Sequence, residues 1–356
     1  MVIKKLFLQY TIYLTSILLL ACKPSVATQV VVPVSPNTPS TTDTTTFIKG
    51  ADIGWVTEME SKGIQFYNKN GVATDCFALM KEIGVNAIRI RVWVNPASKW
   101  NGPLDVIEKA LRAKNLGLKI LIDFHYSDNW ADPGKQVKPA AWANASFSIL
   151  KDSLKNHTIN ILTQLKNVGV TPEWVQIGNE TDDGILWPDG KASVNMVNFA
   201  QLISTGYDAS KTVFPNTKVI VHVSNGWNTS LFRWIFDGLK NNGTKWDIIG
   251  MSLYPSYASG GWQTTNNQCL TNMNDMVTRY NTPVMVVEIG MPWDNASDAK
   301  MFIQDLINKV KTVPNNNGLG VFYWEPEAYN NWQSYNLGAF DNSGKPTIAL
   351  DPFLNK

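Results

Sequence analysis

Two carboxylates draw attention by where they fall. Glu180 closes the run Val175-Gln176-Ile177-Gly178-Asn179-Glu180, and Glu288 stands near the end of Val284-Met285-Val286-Val287-Glu288-Ile289-Gly290. Both runs have the β-branched, apolar character of buried strands. Two carboxyl groups flanking one bond are what glycoside cleavage needs. One must keep a proton for the leaving oxygen, so its pKa has to be raised. The other must be ionised next to the anomeric carbon. Either Glu alone could simply cap a helix or pair with an arginine. The two together, with Asn179 directly before the first, favour catalysis. Other runs also end in polar or aromatic groups: Asp52, Arg89 with Arg91, His125, His222, Tyr254 and Trp324. By alternation Arg89, Arg91 and Trp93 share one face of their run, and Ile88, Ile90 and Val92 share the other. A buried arginine pair is costly without carboxylate partners, which again argues for a built site.

The elements that must carry these groups alternate regularly. Strand-like runs are predicted at Ile48–Ile53, Asn86–Trp93, Leu118–Phe124, Trp174–Asn179, Lys218–Val223, Asp247–Leu253, Pro283–Ile289 and Leu319–Trp324. Helical stretches fall between them at Asp75–Ile83, Leu104–Leu116, Phe147–Lys166, Val194–Val213, Leu231–Leu239, Leu270–Tyr280 and Asp298–Lys311. Gly117 is expected to stop the second of these, and Ser297 to cap the start of the last. Eight strand–helix units over roughly 300 residues predict an α/β fold, a single (β/α)₈ TIM barrel, whose active site would sit at the C-terminal ends of the strands. Strands four and seven lie on opposite sides of such a mouth, so Glu180 and Glu288 can face each other. The competing fold is a doubly wound open sheet. Its Gly-rich phosphate turn is missing after the first run, where Gly54-Trp55-Val56 stands instead.

The N-terminal segment reads as targeting rather than fold. Lys4 and Lys5 precede an apolar stretch from Leu6 to Leu20, and Leu19-Leu20-Ala21-Cys22 has the form of a bacterial lipobox. On this reading residues 1–21 are a lipoprotein signal peptide and Cys22 carries a lipid that anchors the protein to a membrane. Residues 22–46, rich in Thr, Pro, Ser and Val, form a flexible tether, and the catalytic domain spans 47–356. The expected location is the bacterial cell envelope, periplasmic or on the outer-membrane surface. Cys76 and Cys269 could pair in an oxidising compartment, although two small buried side chains is the simpler reading. No metal-ligand spacing is present, and a net charge of +2 offers nothing to nucleic acid. The 14 tryptophans give weight to a carbohydrate partner, because indole faces stack on sugar rings. Trp93, Trp130, Trp187 and Trp262 fall in or beside strand-end loops, where some could stack in this way.

Specific stretches sharpen this reading. Lys49-Gly50-Ala51-Asp52-Ile53, Arg89-Ile90-Arg91-Val92-Trp93-Val94-Asn95-Pro96, Asp123-Phe124-His125-Tyr126-Ser127-Asp128-Asn129-Trp130-Ala131-Asp132-Pro133, Gln176-Ile177-Gly178-Asn179-Glu180 and Glu288-Ile289-Gly290 resemble glycoside hydrolase clan A, and within it family 53, the endo-β-1,4-galactanases. The resemblance spreads over most of Ile48 to Pro352. It implies a retaining mechanism with Glu180 as acid/base and Glu288 as nucleophile. It further implies that Asn179 holds the sugar 2-OH, Tyr254 positions Glu288, and Arg89 keeps the Glu288 pKa low. Trp324 would floor the sugar at the cleaved bond, and Asp128, Trp130 and Trp93 would line more distant subsites. Asp52, His125 and His222 complete the expected substrate-binding set. The implied partner is galactan, met by a monomer without a cofactor. Bacterial relatives often hold calcium after strand seven, but here Met291–Ser297 is short and offers only Asp294, Asn295 and Asp298, so no metal is predicted. Two other readings stand beside this one: another clan-A endo-hydrolase of the β-mannanase or cellulase type, and an inactive, lipid-anchored glycan-binding protein.

Overall fold

The computed structural model describes residues 46–354; the leader, Cys22 and the tether up to residue 45 lie outside the described residues. Eight parallel strands close on themselves: β1 (Ile48–Asp52), β2 (Ala87–Val92), β3 (Lys119–Phe124), β4 (Trp174–Ile177), β5 (Lys218–Val223), β6 (Ile248–Leu253), β7 (Val284–Ile289) and β8 (Gly318–Trp324). β1 pairs with β2 on one side and β8 on the other, so the sheet has no edge and the open doubly wound fold is excluded. Seven helices follow strands in turn: α1 (Cys76–Glu82), α2 (Pro103–Asn115), α3 (Phe147–Asn167), α4 (Met196–Val213), α5 (Thr229–Asn241), α6 (Gly261–Tyr280) and α7 (Ala296–Lys311).

The period-two pattern of the strands builds two cores. Outward-facing Ile88, Ile90 and Val92 of β2, with their equivalents on other strands, pack under the helices. Inward-facing Ile48, Leu121, Trp174, Ile220, Ile248, Met285, Val287 and Phe322 form a separate apolar plug inside the barrel. Above this plug the inward positions turn polar: Asp52, Arg89, Arg91, Asp123, Gln176, His222 and Ser252 are all buried. The barrel is therefore filled by side chains from bottom to top, with its charged layer at the C-terminal end.

Several elements depart from the sequence-based expectation. α6 begins at Gly261 rather than Leu270, because its first turns bury polar side chains that read as loop; the Asn266 amide donates to the Phe302 carbonyl at 3.1 Å and to Asp305 at 2.9 Å. Ser297 is not the cap of α7: the helix opens at Ala296, and the Ala299 N–H already bonds to the Asn295 carbonyl at 3.0 Å. Gly117 does follow α2 in the left-handed conformation, at φ 70°. A short helix at Val56–Ser61 and a two-stranded ribbon of Gly184–Ile185 with Gly190–Lys191 were not expected. After β8 the chain runs irregularly to a 3₁₀ turn at Ile348–Leu350 and a single helical turn at Asp351–Leu354, which Lys300 of α7 holds through Asp351 at 2.9 Å. Cys76 and Cys269 are both buried and, among the described residues, unpaired.

Gly50 shows how tightly the plug is filled. A Cβ there would lie 2.1 Å from the ring of Phe322. Gly50→Ala is expected to lower stability by roughly 1–3 kcal/mol through overpacking, measured as a reduced denaturation midpoint in urea.

Candidate active site

Arg89 is the centre of the polar layer. It is 1% exposed and reaches four strands at once. Its Nη1 lies 3.0 Å from Asp52 Oδ2 and 2.8 Å from Glu288 Oε1, and its Nη2 lies 2.9 Å from Asp123 Oδ2. Nη2 also donates to Asn179 Oδ1 at 2.8 Å, and Nε to Gln176 Oε1 at 3.3 Å. The three carboxylates supply the partners that a buried guanidinium requires and raise its already high pKa. Burial pushes Asp52 up to about 7 even against the attraction of Arg89, and nearby Glu325 pushes the same way.

Glu180 owes its placement to two left-handed backbone positions. β4 ends at Ile177, earlier than expected, and Gly178 takes φ 80° and Glu180 φ 44°. A side chain at Gly178 would collide with Thr181 and Ile185, at 2.6 and 2.8 Å. This turn brings both Asn179 and Glu180 to the mouth. Asn179 accepts from Arg89 while its Nδ2 donates to the Ala131 carbonyl at 2.8 Å, so its amide is held in one orientation. The Glu180 side chain accepts from Ser252 Oγ at 2.7 Å. Ser252 in turn meets His222 Nε2 at 2.8 Å, while His222 Nδ1 accepts the Glu180 backbone N–H at 3.2 Å. With Nδ1 accepting, the neutral Nε2–H tautomer follows from the hydrogen-bond network. Burial, with help from Arg89 and His125, holds His222 far below its usual pKa and so uncharged.

Glu288 depends on an irregularity in the sheet. Met285 and Val287 point into the plug, so strict alternation would send Glu288 outward to the helices. A register shift between β6 and β7 pairs Met251 with Val286 but Ser252 with Glu288. The local bulge turns the carboxylate back into the mouth. There Tyr254 OH donates to Glu288 Oε2 at 3.1 Å, opposite Arg89 on Oε1. Burial still raises the Glu288 pKa, with Arg89 opposing it, which corrects the expectation that Arg89 makes it low. Glu180 is also pushed well above its ordinary value, first by burial and then by the charge of Glu288, while the Ser252 hydroxyl pulls the other way. The two carboxyls differ in their contacts: Glu288 has the Arg89 guanidinium beside it, and Glu180 has the Ser252 hydroxyl.

Both carboxylates open onto a hollow of about 500 Å³ lined also by His125, Trp130, Asn179, Ser252, Tyr254 and Trp324. A second hollow of about 450 Å³ adjoins it, sharing Trp130, Trp324 and Tyr335 and adding Trp55 and Trp93. Four expected substrate contacts do not line either space. Asp52, Arg89 and His222 lie beneath the surface, at 0%, 1% and 0% exposure, and act by holding other side chains. Asp128 is also engaged elsewhere: its oxygens accept the backbone N–H groups of Asn95 and Ala140, at 2.9 and 2.8 Å, and shape the loop. Trp187 donates to the Asp183 carbonyl at 2.8 Å on the ribbon, and Trp262 sits in the first turn of α6, so neither lines the hollows. Sequence reasoning missed Ser252, although it lies two residues before Tyr254 on the same strand face. It also missed Trp55, Trp227, Tyr257 and Tyr335, which come from loops with no period to read.

Comparison with known proteins agrees with this geometry. Residues 48–353 match the profile of Glycosyl hydrolase family 53. The chain belongs to that family. The arabinogalactan endo-β-1,4-galactanase of Thermothelomyces thermophilus is 34% identical over 86% of this chain and 98% of its own length. A solved fungal β-1,4-galactanase superposes with a TM-score of 0.81 at 32% identity, covering 86% of this chain and 98% of that one. The GH53 catalytic domain of Ignisphaera aggregans superposes at 0.79 with 31% identity, covering 90% and 99%.

In this family-53 chain the residues offered for calcium after β7 do not fit the ion. Asp298 already accepts from the Asn295 amide at 2.8 Å, and the loop falls short of the six to eight oxygens calcium takes. The hydrogen bond from Ser252 gives a direct test of the acid assignment. Donation to the ionised form of Glu180 lowers its pKa, so Ser252→Ala should raise it further. The basic limb of the kcat/KM profile should move to higher pH while the acid limb, set by Glu288, stays in place.

Proposed function

We propose that this chain is a retaining endo-β-1,4-galactanase that cleaves pectic arabinogalactan of type I, with Glu180 as acid/base and Glu288 as nucleophile. The observation that carries this reading is the unequal electrostatic setting of two carboxylates at one mouth. Glu288 touches the Arg89 guanidinium at 2.8 Å, whereas Glu180 has only a neutral hydroxyl donor. Glu288 attacks the anomeric carbon and forms a glycosyl-enzyme as Glu180 protonates the departing oxygen. Glu180, now a base, takes a proton from water, which attacks the same carbon and releases a product of unchanged configuration. Asn179 precedes Glu180, shares the Arg89 guanidinium with Glu288, and is placed for the sugar 2-OH. The tryptophan-lined hollow gives room for further sugars of a polymer, which supports endo action. Family membership favours galactan over the mannan and cellulose readings, and a pair of carboxylates in these two states argues against an inactive binding protein.

Glu288→Ala should abolish turnover, because no glycosyl-enzyme can form. Glu180→Ala should lower kcat on galactan by about 10²–10⁴-fold and lose least on an activated aryl galactoside, whose leaving group needs no proton. Azide should rescue the Glu180 variant with a β product and the Glu288 variant with an α product. Reversed stereochemistry between the two variants, read by NMR of the glycosyl azides, would overturn the assignment.

We also propose that the chain is a cell-envelope lipoprotein held through Cys22; the lipobox and the Thr/Pro-rich stretch after it support this. Cys22→Ser should move the enzyme from the membrane pellet to the soluble fraction with its specific activity retained. Normal processing and continued pelleting of the variant would count against the anchor.

A further inference from the structure

Arg91 lies on the same face of β2 as Arg89 but serves a different group. It is fully buried, and its guanidinium carbon lies 4.5 Å from the ring centre of Trp130, 5.4 Å from Trp55, 5.8 Å from Trp93 and 5.9 Å from Trp324. Its Nη1 pairs closely with Glu325 and lies 3.4 Å from Asp52. Among the described residues Nε and Nη2 meet no acceptor, so contact with the indoles is what the rest of the guanidinium has. Gly54 leaves room for it: a Cβ there would sit 2.1 Å from Nη1.

Glu325 connects this cation to the wall. It follows β8 with φ 48°, is fully buried, and its second oxygen accepts the Trp55 backbone N–H at 3.1 Å. Glu327 lies near it, equally buried, and among the described residues neither of its oxygens meets a donor. Two facing carboxyl groups in a dry site cannot both be ionised. Burial, with the neighbouring Glu325 pushing the same way, raises the Glu327 carboxyl well above its ordinary range, so a proton on Glu327 can be donated to Glu325.

We propose that Arg91, Glu325 and Glu327 form a positioning unit that holds Trp55, Trp93, Trp130 and Trp324 in place for sugars bound away from the scissile bond. None of the three lines the two hollows, and their effect is exerted through the rings. The proposal rests on the hydrolase reading above and adds to it a determinant of how strongly long chains are preferred. Contacts with remote sugars assist the reacting centre, so disturbing the wall should penalise long substrates more than short ones.

The test uses β-1,4-galacto-oligosaccharides of two to six units with the Glu327→Met, Glu327→Gln and Glu325→Gln variants, and tryptophan fluorescence titration of the hexamer with each change placed in a Glu288→Ala background. Glu327→Met should lower kcat/KM on the hexamer about tenfold, with a several-fold smaller loss on the shortest cleaved substrate, and should weaken hexamer binding to match. Glu325→Gln keeps an acceptor for Trp55 but loses the charge facing Arg91, so it should show the same dependence on length. Glu327→Gln is neutral and can still donate, and should restore the wild-type profile. Equal losses at every length, no loss at all, or a Glu327→Gln variant as impaired as Glu327→Met would overturn the proposal. Wild-type failure to cleave any of these sugars would instead defeat the galactanase reading, and the titration would still show whether the wall binds them and needs Glu327.

Discussion

Arg89 is the interaction on which the mouth of this barrel depends. Its guanidinium ties β1, β2, β3, β4 and β7 together through Asp52, Asp123, Gln176, Asn179 and Glu288. A cation placed inside a closed barrel cannot be stabilised by water, so each partner is needed both for folding and for position. Removing a partner from such a buried network typically costs about 3–5 kcal/mol, because the charge left behind stays dry. The same requirement fixes Glu288 and Asn179 to within hydrogen-bonding geometry before any substrate arrives. Catalytic precision at this site is therefore a by-product of satisfying one buried charge.

The two glutamates differ in their contacts with that charge. Burial raises both pKa values, so burial alone does not distinguish them. Glu288 is in direct contact with Arg89 and also receives a phenolic hydrogen bond from Tyr254. Glu180 instead feels the negative charge of Glu288 and has the Ser252 hydroxyl as its donor. A neutral His222 behind Ser252 keeps that side of the site free of a second cation. The unequal settings of the two carboxyls result from these neighbours rather than from any property of glutamate itself.

The two arginines of β2 organise two adjoining surfaces. Arg89 orders the carboxylates beneath the catalytic hollow, and Arg91 underlies an aromatic surface in which Trp130 and Trp324 face both spaces. Asp52 contacts both guanidinium groups, at 3.0 and 3.4 Å, and so joins the two networks. The edge-on contacts among Trp55, Trp93, Trp130, Trp324 and Tyr335, with centroids 4.8 to 5.8 Å apart, make this wall one packed unit rather than separate side chains.

Much of this was legible in the chain itself. The eight apolar runs, the Arg89/Arg91/Trp93 face and the two terminal glutamates follow from a period of two and from the cost of burying charge, both of which are local or pairwise properties. What local pattern could not decide was direction. Alternation carried past Val287 points Glu288 away from the site, and only the shift in pairing with β6 returns it. Gly178 and Glu180 leave the strand through left-handed backbone that the run of residues does not announce. Nor could sequence separate groups that touch substrate from groups that hold them: Asp52 and His222 look like any other strand-end residues, and their complete burial appears only when neighbouring strands close over them. The pairing of Arg91 with Glu325, which lies on the far side of the chain in sequence, is decided in the same way. Residue type and spacing determined which chemistry was available, whereas closure of the barrel decided which carboxylate stands beside a cation, because electrostatic environment is set by neighbours in space.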